Sequence, residues 1–91
     1  MKINFNDKEF ELKQSLRALI MYENITEKEF NPKNFTDILT YLYCIVISSS
    51  KDYTMSFDSF LDYLDENPDK LNELTAWINS EFATNNIIKK N

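Results

Sequence analysis

The run FTDILTYLYCIVISSS, from Phe35 to Ser50, is the feature of this sequence that most constrains the fold. It is the most apolar run in the chain, and its length fits a helix better than a strand. At about 100° per residue, one face of that helix is apolar, made of Phe35, Ile38, Leu39, Leu42 and Val46. Tyr43 and Ile45 lie on its margins, and Tyr41 and Ile47 widen it.

The polar part of this helix is only a narrow line, made of Asp37, Thr40, Cys44, Ser48 and Lys51. A helix that is apolar over so much of its circumference must be covered by several neighbours. The sequence therefore predicts that this helix is the centre of the core.

Length and charge limit the classes of function. The 91 residues are predicted to form one domain, 1–91, which is small enough to be marginally stable alone or helped by self-association. The net charge of -5 disfavours nucleic-acid binding, because phosphate contacts need clustered Lys and Arg. No apolar run reaches the roughly 18 residues of a membrane span, and the N-terminus is too charged for a signal peptide. We expect no nucleic-acid or membrane partner and a cytoplasmic location.

The side chains that usually build catalytic and metal sites are scarce. The chain has no His, no Gly and one Cys, so we expect no zinc site, no internal disulfide and no Gly-rich phosphate loop. Cys44 is predicted to be a small, partly buried apolar residue. Four carboxylates lie opposite an apolar stripe and are interpreted as a solvated outer face: Asp58, Asp62, Asp65 and Glu66. We expect no enzyme activity, no cofactor and no small-molecule substrate.

Residues 2–13 alternate between apolar and polar side chains, which predicts a β-hairpin. With Asp7 and Lys8 as a two-residue loop, two apolar pairs share one face: Phe5 with Phe10, and Ile3 with Leu12. That face should lie on the helices, or the strand edge should pair with another subunit. Because the chain has no Gly, we expect turns with a positive φ to use Asn or Asp.

Caps and apolar stripes predict four helices after the hairpin, at about 15–24, 35–51, 56–66 and 68–84, followed by a frayed tail, 85–91. The expected N-caps are Ser15, Asn34 or Thr36, Ser56, and Asn67 before Pro68. The expected buried stripes are Leu16, Leu19 and Ile20; Phe57, Phe60, Leu61 and Leu64; and Leu71, Leu74, Ile78 and Phe82. Phe30 should anchor the connection at 25–34. The predicted fold class is mainly α (α+β), an N-terminal β-hairpin followed by a compact bundle of about four helices.

Three apolar residues are candidates for contact with a partner or a second subunit. Tyr41 and Ile45 flank the expected buried face of the central helix, and Trp77 flanks that of the fourth. Aromatic side chains in such positions are favoured at interfaces. The alternative is that all three residues complete a small core. The Tyr41/Ile45 margin has no assigned partner within the chain, so we expect an interface there first.

The order of these pieces resembles the tail assembly chaperones of long-tailed bacteriophages and prophages. The similarity covers nearly the whole chain. It is carried by FELK at 10–13, SLRAL at 15–19, YENITEK at 22–28 and Phe30, then by a leucine- and tyrosine-rich helix and a linker. SFDSFLDYLD at 56–65 and a final helix that starts with Pro complete the pattern. The family often has Gly at the position of Glu27.

This resemblance implies a non-enzymatic protein that binds the long, largely helical tape measure protein in the bacterial host's cytoplasm. It would keep the apolar surface of that client soluble and leave when tail tube subunits polymerise. The family is often made in two lengths by ribosomal frameshifting near the end of the short form. Two other classes stay open, namely a small acidic inhibitor or DNA mimic, and a helical adaptor or scaffold that binds another protein.

Overall fold

A β-hairpin and four helices make up the described part of the chain. The computed structural model describes residues 1–5, 7–31, 33–50 and 54–84. In chain order its elements are β1 (Lys2–Phe5), β2 (Lys8–Glu11), α1 (Leu16–Thr26), α2 (Phe35–Ser48), α3 (Phe57–Glu66) and α4 (Pro68–Thr84). The predicted fold class is confirmed. The predictions for Lys51, Asp52 and the tail 85–91 lie outside the described residues.

The hairpin register differs from the prediction by two residues. Phe5 pairs with Lys8, and Ile3 pairs with Phe10. The predicted pairs of Phe5 with Phe10 and of Ile3 with Leu12 are therefore wrong. The turn includes Asp7 with φ 67°, a left-handed conformation that Asp tolerates better than Lys. Because the shift is two residues, every side chain keeps its predicted face.

The apolar face of the hairpin packs on α3. The Phe5 ring centroid lies 6.0 Å from that of Phe60 and 4.6 Å from that of Tyr63. The Tyr63 hydroxyl donates to the carbonyl of Asn4 at 2.7 Å. The hairpin is therefore held by apolar contact and by a hydrogen bond from the helix beneath it.

Side-chain caps begin three of the helices, as predicted. An oxygen of the capping side chain accepts a hydrogen bond from the backbone N–H three residues later, which satisfies a donor that the helix leaves unpaired. The pairs are Ser15 with Ala18 at 3.1 Å, Asn34 with Asp37 at 3.0 Å, and Ser56 with Ser59 at 3.0 Å.

Asn67 joins α3 to α4 without an intervening loop. Its side-chain amide donates to the carbonyl of Tyr63 at 2.8 Å, at the end of α3. Its own carbonyl accepts from the N–H of Leu71 at 3.3 Å, in the first turn of α4. The fourth helix starts at Pro68, as predicted.

Two helix ends differ from the prediction. α1 continues to Thr26, and Glu27 follows it with φ 56° and ψ 32° while its N–H donates to the carbonyl of Glu23. The expectation that positive φ falls on Asn or Asp holds for Asp7 and is wrong for Glu27. α2 ends at Ser48 rather than at 51, where serine hydroxyls compete for the carbonyl of Ile45.

α2 is the centre of the core, as predicted, and contacts the other three helices. The face that it buries is rotated from the predicted one. Its fully buried side chains are Tyr41, Leu42, Cys44, Ile45 and Val46, whereas Phe35 is 56% exposed. The rotation brings two members of the predicted polar line inside, Cys44 and Asp37. Cys44 is a small apolar group when buried, and an ion pair compensates the burial of Asp37.

α1 is rotated as well. The prediction that Leu16 and Ile20 are buried is wrong, because they are 66% and 56% exposed. Ala18 and Tyr22 are buried in their place. The Tyr22 ring lies 5.3 Å from that of Phe30 and 6.4 Å from that of Tyr41. A short helix can bury only one face. In α1 the buried face is the one that contains the aromatic side chain of Tyr22.

The apolar stripes of α3 and α4 face the core, as predicted. Phe60 and Leu64 of α3 are buried, as are Leu74 and Ile78 of α4. Their stripe neighbours pack against the core while partly exposed: Phe57, Leu61, Leu71 and Phe82. Phe30 is buried and anchors the connection between α1 and α2, as expected.

Candidate protein-interaction surface

Tyr41 and Ile45 lie inside the core rather than at its margin. Both side chains are 0% exposed. The Tyr41 ring packs 4.7 Å from that of Phe30, centroid to centroid. The expectation that this margin lacks a partner within the chain is therefore wrong. In this fold neither side chain has surface to offer to another protein.

A polar chain explains how Tyr41 can be buried. Its hydroxyl donates to Oε1 of Gln14 at 3.2 Å, and Nε2 of Gln14 approaches Glu81 at 3.4 Å. Burial raises the pKa of Tyr41 well above its ordinary value, with smaller contributions from Cys44 and Glu81. This chain connects the segment before α1 to the last turns of α4.

Trp77, the third predicted interface residue, is partly buried on α4 and packs against the core. It therefore contributes to the core and keeps some apolar surface. Its contact with a partner stays a prediction.

Four large apolar side chains are exposed in the part of the chain that the structure describes. Leu16, Ile20 and Ile25 lie on α1 and are 66%, 56% and 54% exposed, and Phe35 opens α2. Full burial of one such side chain is worth about 1.5–3 kcal/mol. Leu16 and Ile20 are one turn apart on the same side of α1, whereas Ile25 lies on another side. The adjacent pair, Leu16 and Ile20, is a candidate contact surface. Sequence reasoning missed them because Leu16, Leu19 and Ile20 have the spacing of a buried stripe; the competing signal was the pair of Ala18 and Tyr22.

Four exposed residues of α1 and its cap share one side of the helix, which we call the α1 face: Leu16, Ile20, Glu23 and Glu27. Their spacing of i, i+4, i+7 and i+11 keeps them within roughly 60° of helix circumference. The first half of the α1 face is apolar and the second half is acidic. An open depression of about 330 Å³, lined by Glu23, Glu27, Lys28 and Glu29, continues the acidic half.

The opposite end of α1 has a different charge. A cavity of about 220 Å³ beside Ser15 has both Lys13 and Arg17 in its lining, together with Glu11. The Glu11 carboxylate is bound by the N-terminal ammonium at 3.0 Å. Ser48 and Ser49, at the end of α2, complete this lining, and no residue of the α1 face belongs to it.

A buried carboxylate ties the end of α1 to α2. Asp37 is 4% exposed, and Nζ of Lys28 lies 2.7 Å from its Oδ1. The hydrogen bond from Lys28 holds the pKa of Asp37 below its ordinary 3.8, against the opposing effect of burial. The Tyr22 hydroxyl lies near the same carboxylate without a hydrogen bond of good geometry. Burial, and next the interaction with Asp37, raise the pKa of Tyr22 to about 12.

The groups with chemical reactivity are shielded or dispersed. Cys44 is a free cysteine that is fully buried rather than partly buried as predicted, and burial raises the pKa of its thiol to about 12. Among the described residues no three His, Cys, Asp or Glu side chains form a group suited to a metal ion. The predicted outer face of α3 is exposed: Asp58, Asp62, Asp65 and Glu66. Within the described residues, no helix is both long enough and apolar enough to cross a membrane.

Comparison with known proteins adds no relative. No protein-family model, curated protein or solved structure matches this chain. The α1 face and the resemblance carried by the sequence are therefore the two observations that bear on function.

Proposed function

We propose that this protein is a non-enzymatic tail assembly chaperone of a bacteriophage or prophage, which binds the tape measure protein and keeps it soluble in the host cytoplasm. The structural observation that carries the proposal is the exposure of Leu16 and Ile20 on one side of α1. The sequence resemblance supplies the kind of client.

An exposed apolar helix suits a protein that covers another helix. A domain of 91 residues has few apolar groups to spare, yet three large ones lie on the outside of α1. An amphipathic client helix would cover Leu16 and Ile20, which share one side of α1, with its own apolar side chains, and this is a common mode of peptide recognition. Copies of this protein that associate with one another could bind a long client at several points, and their affinities would then reinforce one another. Self-association is therefore part of the proposal.

The backbone at Glu27 supports the resemblance. Its φ of 56° places it in the left-handed region, which Gly enters without steric cost. A family that often has Gly here would have the same helix end. If this chain shares that helix end with the family, the left-handed backbone at Glu27 would explain the family's preference for Gly.

The acidic surface also fits a chaperone. The net charge of -5 and the exposed carboxylates of α3 keep a protein with exposed apolar groups from associating with copies of itself without limit. A carrier of an insoluble client needs this property.

Co-expression tests the proposal. The tape measure protein encoded beside this gene, produced alone, is expected to be largely insoluble; with this protein it should become soluble and co-purify. A tape measure protein from an unrelated phage is the specificity control. A client that stays insoluble and does not co-purify, or the absence of a tape measure gene nearby, would count against the proposal.

A further inference from the structure

We draw no further inference here: the strongest candidate, the exposed apolar patch that Leu16 and Ile20 form on the outer side of α1, carries none beyond the proposed function, because nothing in the described part of the structure shows what covers it.

Discussion

The Lys28 ammonium lies 2.7 Å from the Asp37 carboxylate, and the two side chains are very unequally exposed, at 52% and 5%. The carboxylate is removed from water, whereas the ammonium remains about half exposed. The pair joins the segment after α1 to the first turn of α2. The pair is therefore a polar contact that holds the end of α1 against α2.

Removal of the ammonium should destabilise the protein. Lys28→Met leaves the buried Asp37 carboxylate without its cation, and we expect a loss of about 1–2 kcal/mol in the free energy of unfolding. This is below the 3–5 kcal/mol typical of fully buried pairs, because Lys28 is half exposed. Lys70→Met, which removes a cation from an exposed pair with Glu73, is the control and should cost less than about 0.5 kcal/mol.

The same contact predicts a dependence on acid. The pKa of Asp37 is lower in the folded protein than its ordinary 3.8, so the folded state holds this proton less tightly than the unfolded chain. The stabilisation is complete above the ordinary value and is lost as the pH falls through the folded-state pKa. Urea unfolding between about pH 6 and pH 3 should show this decline in the wild type and a weaker one in Asp37→Asn.

Glu27 should be replaceable by Gly with a gain in stability. Its left-handed backbone costs a residue with a side chain about 1–2 kcal/mol, so we expect Glu27→Gly to stabilise the protein by about 0.5–1 kcal/mol after allowing for chain entropy. Glu23→Gly, inside α1, is the matched control and should destabilise by about 1 kcal/mol. A loss of stability in Glu27→Gly would contradict the assigned helix end.

Tyr41 should behave as a core residue. Tyr41→Asp puts a charge at a fully buried site and should unfold the protein, so its effect on binding would carry no information about an interface. Tyr41→Phe keeps the ring and leaves Oε1 of the buried Gln14 without this donor. We expect that change to cost about 1–2 kcal/mol by thermal or urea unfolding.

Stability should fall in alkaline solution. The pKa of Cys44 rises from its ordinary 9.0 to about 12 in the folded protein, and that of Tyr22 from 10.0 to about 12. The folded state therefore keeps protons that the unfolded chain loses. The stabilisation is complete below about pH 9 and declines as the pH rises toward 12. Cys44→Ala should flatten this decline between about pH 9 and 10.5, and an unchanged slope would contradict the burial of the thiol.

Apolar periodicity and capping residues together predicted the hairpin, the four helices and the central place of α2. The faces of the hairpin, α3 and α4 were also predictable, because each has one clear apolar side. The hairpin register was not predictable, because shifting the strand pairing by two residues leaves every side chain on the same face of the hairpin. Only the preference of the turn for Asp over Lys distinguishes the two registers.

The rotations of α1 and α2 were not predictable from either helix alone. Each has two possible apolar sides, and the choice depends on pairs that are distant in sequence. Tyr22 meets Tyr41, and Lys28 neutralises an Asp37 that local pattern places on the solvent side. The same choice leaves Leu16 and Ile20 outside. The candidate surface is thus a consequence of tertiary packing, which a single helical pattern does not contain.

The most direct test of the account is capture of the tape measure protein by the wild type and by Leu16→Asp with Ile20→Asp. Both positions are exposed, so the variant should fold normally. We predict that the amount of client co-purified falls by at least about tenfold, equivalent to about 1.4 kcal/mol, whereas Asp62→Lys with Glu66→Lys retains it. Undiminished capture by a folded Leu16→Asp, Ile20→Asp variant would contradict the account.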